Sequence, residues 1–163
     1  MPMTFSTEIA AYAQGRRANM EEWNAITRTN SGTTPIPFGV PVVPGTGAHT
    51  CVALTATAQN ILGISEAVAT HPNEGGGNFV ADTHAQYASV PICDMGVIGV
   101  MLGKDVALGA QARYDLTNKV WTDAAQSATV ATIPGAQFDE AGKSGAIGVV
   151  RYRRPILSLS VAS

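Results

Sequence analysis

MGVIGVMLGKDVALGAQARYDLTNKVW, residues 95–121, is the stretch whose reading decides the fold. Val97-Ile98-Gly99-Val100-Met101-Leu102 is an unbroken apolar run of strand length, the pattern of a strand covered on both faces. Gly103 and Gly109 bracket Lys104-Asp105-Val106-Ala107-Leu108 and predict a short strand or arch there. Ala110, Ala112 and Tyr114 then alternate with Gln111, Arg113 and Asp115, the period of a half-buried strand. Asp115-Leu116-Thr117-Asn118-Lys119 is turn chemistry, because Asp and Asn bond their own backbone and tolerate left-handed dihedrals. The chain returns through Val120-Trp121. The stretch therefore reads as strand, arch and hairpin, the middle of an all-β domain.

Working outward, Phe38-Gly39-Val40-Pro41-Val42-Val43 is a strand whose proline belongs at an edge or a strand start. Pro44-Gly45-Thr46-Gly47 turns the chain into Cys51-Val52-Ala53-Leu54, and residues 58–68 read as a further apolar strand. His71–Asn78, with three consecutive glycines, is a flexible loop by composition. Beyond Trp121, residues 123–129 are polar surface, and residues 130–138 are a strand broken by a turn at Ile133-Pro134-Gly135-Ala136. Gly142–Gly145 is a tight loop before a strand over 146–152, and residues 156–161 suit a terminal strand. The phrases Leu62-Gly63-Ile64, Ile98-Gly99-Val100 and Ile147-Gly148-Val149 point to close backbone approach where strands cross in a small barrel or sandwich.

Residues 1–35 read differently, as an N-terminal arm and linker before a β domain at 36–163. Phe5, Ile9 and Tyr12 fall at helical spacing, and Asn19 with Glu22 resembles an N-cap ahead of Met20, Trp23 and Ile26. Both helices would be short and in need of a surface to pack on, either a neighbouring subunit or the chain's own domain. The fold class expected is thus mainly β, a small β-barrel or β-sandwich with an arm containing short helical segments.

Only 13% of the 163 residues are charged and 6% are aromatic, a composition suited to a chain whose surface is partly covered by partners. A net charge of −2 provides no overall attraction to nucleic acid or membranes. No apolar run is long enough to span a bilayer, and the first residues have neither the basic nor the apolar region of a signal peptide. Cys51 and Cys93 lack metal or redox spacing and read as buried thiols.

Catalysis finds little support. Gly142-Lys143-Ser144 ends like a phosphate-binding loop, but Gln137 stands where its first glycine belongs and a strand follows instead of a helix. Asp82 and His84 would share a strand face, with His71 as a third imaginable metal ligand, yet no spacing enforces a site. No nucleophile elbow or HExxH occurs. Arg151, Arg153 and Arg154 form the one dense basic cluster, either an anion-gripping patch or a strand end paired with acids such as Asp139 and Glu140. The reading contains no catalytic, cofactor or metal residues. Phe5, Ile9, Tyr12, Trp23, Ile26, Arg151, Arg153 and Arg154 are the candidate assembly contacts.

Four phrases in order resemble the bacteriophage structural cement proteins that decorate capsids. They are Phe38–Val43, Ile61-Leu62-Gly63-Ile64-Ser65-Glu66-Ala67, Ile133-Pro134-Gly135-Ala136-Gln137-Phe138, and Asp105–Asp115, which is similar to the family's G-x-x-V-Y-x-D hairpin. The resemblance covers roughly residues 36–152. It implies a homo-oligomer, dimer or trimer, that is made in the host cytoplasm and sits on the outside of the virion's capsid. There it would bridge subunits of the major capsid protein, with no cofactor, no enzymatic activity, and no direct contact with nucleic acid or membrane. The rival reading is a β-sandwich binding module for host-surface glycans, which an exposed Trp or Tyr cluster facing a groove would favour.

Overall fold

The computed structural model describes residues 13–19, 21–68 and 82–155. In chain order its strands are β1 (Asn24–Asn30), β2 (Ile36–Pro37), β3 (Pro41–Pro44), β4 (Thr50–Ala53) and β5 (Gly63–Ser65). There follow β6 (Thr83–His84), β7 (Ser89–Met101), β8 (Gln111–Asp115), β9 (Val120–Thr122), β10 (Val130–Phe138) and β11 (Ile147–Arg153). There is no helix among the described residues.

The apolar run from Val97 to Met101 lies in β7, whose 13 residues make it the longest described strand, and Gly96 to Val100 are buried without interruption. The reason is that β7 serves two structures at once. Its first half pairs with β1 on one side and β5 on the other, and the order β1–β4–β3–β5–β7 closes on itself as a five-stranded barrel. Its second half pairs with β11, from Met101 opposite Ile147 to Met95 opposite Arg153. From β11 the sheet runs on through β10, β8 and β9, curling until Trp121 bridges Leu102 at the end of β7. Barrel and curled extension share one hydrophobic core that includes Ile64, Ile92, Ile98, Trp121, Phe138 and Tyr152.

The predicted hairpin is present as β8 and β9, with Ala112 and Tyr114 buried and their neighbours half-exposed. Its turn is held by Asp115, whose carboxylate accepts from the backbone N–H of Thr117 (2.8 Å) and Asn118 (3.1 Å) and from Asn118 Nδ2 (2.7 Å). The left-handed residue is Lys119 rather than Asp or Asn. Residues 103–110 form an arch tied down by the pairing of Val106 with Gly142. Pro41 begins β3, where its missing N–H costs no ladder bond. Two of the three repeated glycines mark tight approaches, since a Cβ on Gly63 would lie 2.2 Å from the Cys93 carbonyl oxygen and one on Gly148 would lie 2.6 Å from Leu102. Both cysteines are free and buried.

Three expectations need correction. Residues 24–30 are not helical. Asn19 Oδ1 does accept the Glu21 N–H (3.2 Å), but the chain then extends as β1. A short helix could not offset its own nucleation cost, whereas an extended Asn-Ala-Ile-Thr-Arg-Thr-Asn finds ladder partners on both β7 and β4. Phe5, Ile9 and Tyr12 lie outside the described residues. The strand expected over 58–68 contracts to Gly63–Ser65. Finally, the strand over 130–138 is not broken by a turn, since Gly135 (φ +80°) absorbs the irregularity as a register shift.

Candidate assembly surface

Along β11 the alternation of a strand puts Tyr152 wholly in the core and turns Arg151 and Arg153 outward. Arg151 Nε and Nη2 donate to the two oxygens of Asp139 (2.8 and 3.2 Å), and its Nη1 donates to Glu21 (2.6 Å). Arg153 donates to Glu22. Asp139 was the legible partner. Glu21 and Glu22 were not, because as neighbours on a regular element they would diverge. In the bend before β1 they instead lie side by side, opposite two arginines spaced two apart. The hydrogen bond that Arg151 donates to Asp139, then that to Glu21, raises its pKa and keeps it charged at any working pH. Arg154 is exposed, and its backbone N–H extends the ladder to Asp94 O (2.9 Å).

The bend carrying Glu21 and Glu22 is anchored by Trp23. Its indole lies over Gly96, where a Cβ would sit 2.2 Å from the ring, and the Arg17 guanidinium stacks on it at 4.1 Å. Upstream, Gly15 N–H donates to Gly99 O (2.7 Å) and Ala18 N–H to Val97 O (2.9 Å). The described residues between Gly15 and Asn30 thus follow β7 along most of its length. Trp23 and Ile26 pack against the chain's own core.

Where β5 and β11 meet opposite Asp94 they splay apart. The result is a groove of about 860 Å³ whose walls include Ile61, Leu62, Met95, Pro134, Tyr152 and Arg154. Tyr152 is its single aromatic, and that ring is buried. Neither tryptophan lines it. Trp121 is committed to the core, donating from Nε1 to Gly39 O (2.8 Å) and packing edge-on against Tyr114 at 5.7 Å.

The other candidate chemistry resolves into structural roles. Lys143 pairs with Asp105 (2.6 Å), and the Ser144 N–H donates to the same carboxylate (3.0 Å), stitching two loops together. Those bonds, Lys143 first, hold Asp105 below its usual carboxylate range. His84 is buried against Phe38, with Nε2 donating to Glu66 O (2.8 Å), while Asp82 is exposed. Among the described residues no three His, Cys, Asp or Glu side chains come together as a metal site, and His71 lies outside them. Burial pushes the Cys51 thiol up to about 11 and raises Cys93 as well, so neither is a nucleophile at neutral pH.

The family model that matches the chain, over residues 1–153, is described as structural cement protein (E217 gp24/Pam3 gp6). Among solved structures, a chain from the capsid of Myoviridae phage XM1 has the same fold, with a TM-score of 0.67 at 13% identity. The match covers 94% of this chain and all of that one. No curated protein matches in sequence.

Proposed function

The chain belongs to the structural cement protein family of phages and is a structural component of the capsid; from that premise we propose that it sits on the outside of the head and braces it by bridging subunits of the major capsid protein. The observation that carries this reading is the family match across residues 1–153. The mechanism is additive. Packaged DNA strains the junctions between capsid subunits, and a protein bound across a junction adds interface that must break before the shell opens. Many weakly bound copies then act together through avidity. The architecture suits the task, because barrel and extension share one long strand and one hydrophobic core.

The same reading makes the protein a dimer or trimer that assembles with itself and the shell. Phe5, Ile9 and Tyr12 are the residues of the first 35 left to grip a neighbour, since Trp23 and Ile26 are engaged in their own core. Arg151 and Arg153 are held in internal ion pairs, which leaves Arg154 the member of that cluster most available to a partner. A glycan-binding module is disfavoured by a groove without exposed aromatic rings. The test is the copy number of the protein in purified virions. A value comparable to that of the major capsid protein is expected, and its absence from intact heads sinks the proposal.

A further inference from the structure

Two side chains stand apart from the covered apolar residues. Among the described residues, Tyr87 and Leu108 are the large hydrophobics that remain exposed, at 75% and 68%. A lone exposed apolar residue is ordinary; the backbone beneath these two is less so. Each projects from a four-residue turn closed by a backbone hydrogen bond, Ala88 N–H to Ala85 O (3.1 Å) and Ala110 N–H to Ala107 O (3.2 Å). The third residue of each turn has left-handed backbone, Gly109 at φ +76° and Tyr87 at φ +64°. Glycine or asparagine is what such a position calls for. A tyrosine there is strained, and strain of this kind persists only where the surroundings over-determine it.

Asn30 supplies that constraint. It is fully buried, its Nδ2 donates to Ala85 O (3.2 Å), its backbone oxygen accepts the Tyr87 N–H (2.8 Å), and its own N–H donates to Ala88 O (3.0 Å). A buried polar network thus holds an aromatic ring out in solvent.

The two turns flank β7. Tyr87 lies just before its first residue, and Leu108 lies in the arch that follows its last. Thirteen residues of strand at about 3.3 Å each amount to roughly 40 Å of contour, with an irregularity at Asp94 and with the arch of Leu108 returning beside Phe138. β7 belongs to both barrel and extension, so ladder pairing runs along it from Ser89 to Met101. Resting on the capsid reading above, we propose that Tyr87 and Leu108 are paired anchors, each gripping a different capsid subunit, with β7 as the strut between them. A few large side chains at the centre of a patch carry most of an interface's energy, and placing one at each end suits a brace across a junction.

The probe is a head of the virus that encodes this chain, stripped of its own copies of the protein. Tyr87→Gly relieves the left-handed strain, so its melting temperature should equal or exceed that of the wild type while its affinity for stripped heads falls on the order of tenfold. Tyr87→Asn, which also tolerates that backbone, should lose affinity in the same way should the glycine loosen the turn. Leu108→Ser should fold normally and bind with a similar loss. Either single variant should fail to raise the temperature at which heads release DNA, and the double variant should not bind. If the single variants bind and brace heads as well as wild type, the anchor assignment is overturned and the capsid reading stands. If the wild type itself does not bind stripped heads, both fall.

Discussion

The barrel and the extension are made from the same small apolar residues but assembled by opposite routes. In the extension each strand pairs with a near neighbour in the chain, β8 with β9 across a short turn and β10 with β8 and β11. In the barrel the decisive pairs are distant, with Asn24 opposite Met95 and Thr29 opposite both Ser89 and Thr50. The extension is therefore a sequence of local decisions, while the barrel exists only if β1 arrives to close it. Non-local closure carries the larger entropic cost, recovered only when the whole ring forms. Since β7 runs through both, the extension inherits that dependence.

Removing β1 is the severest way to break this relation. A chain starting at residue 36 should show no cooperative thermal transition, because β7 loses one full side of its pairing and the barrel opens. A transition like that of the full chain would instead place the domain boundary at residue 35 and make the first 35 residues a dispensable arm.

Next in size is Trp121→Ala in the extension, which should cost about 3–5 kcal/mol through the cavity it leaves. If the halves are one cooperative unit, amide exchange should accelerate in β1 and β5 as much as in β8 and β10. Loss of protection confined to β8–β11 would show that the extension opens alone.

Asn30→Ala tests the barrel side. It strips three carbonyls and the Gly32 N–H of a buried partner, and about 2–3 kcal/mol of destabilisation is expected by chemical denaturation.

Glu66, which follows β5 and donates its N–H to Pro91 O in the barrel, should give a smaller effect of opposite sign. Burial raises its pKa above the ordinary carboxylate value, with Arg17 opposing. A raised folded-state pKa means that its contribution is intact below the unfolded pKa and is lost as pH rises through the folded one. Glu66→Gln should thus raise the melting temperature slightly at pH 7 and leave it unchanged near pH 4.

Smallest is Arg153→Ala. Its pairing with Glu22 is exposed at both ends, so a change of about 0–1 kcal/mol is expected, further reduced by salt. A larger effect would mean that the bend bearing Glu21 and Glu22 is held by charge rather than by the Trp23 ring on Gly96.

The difference between the halves also explains what could be read in advance. The apolar run of β7, the alternation of β8, the Asp115 turn and the strand expected over 146–152 each report a local environment, and each is found within a residue of where its pattern places it. The arginines of β11 were legible as a cluster and, with Asp139, as a charged strand end. Glu21 and Glu22 were missed because their arrangement depends on a bend and not on a periodic element. Tyr87 and Leu108 carried no signal at all, for exposure of a single apolar residue is a property of the finished surface.

By itself the sequence determined a mainly β chain with a doubly covered central strand and buried thiols, because alternation, turn residues and composition act over a few neighbouring positions. Only the tertiary structure decided that residues 24–30 extend rather than coil, that one strand serves both barrel and extension, and which glycines admit a neighbour's backbone or ring. Those outcomes turn on hydrogen-bond partners some sixty residues away along the chain. A short segment with weak intrinsic preference takes the conformation that satisfies its backbone, and its partners are known only once the core has formed.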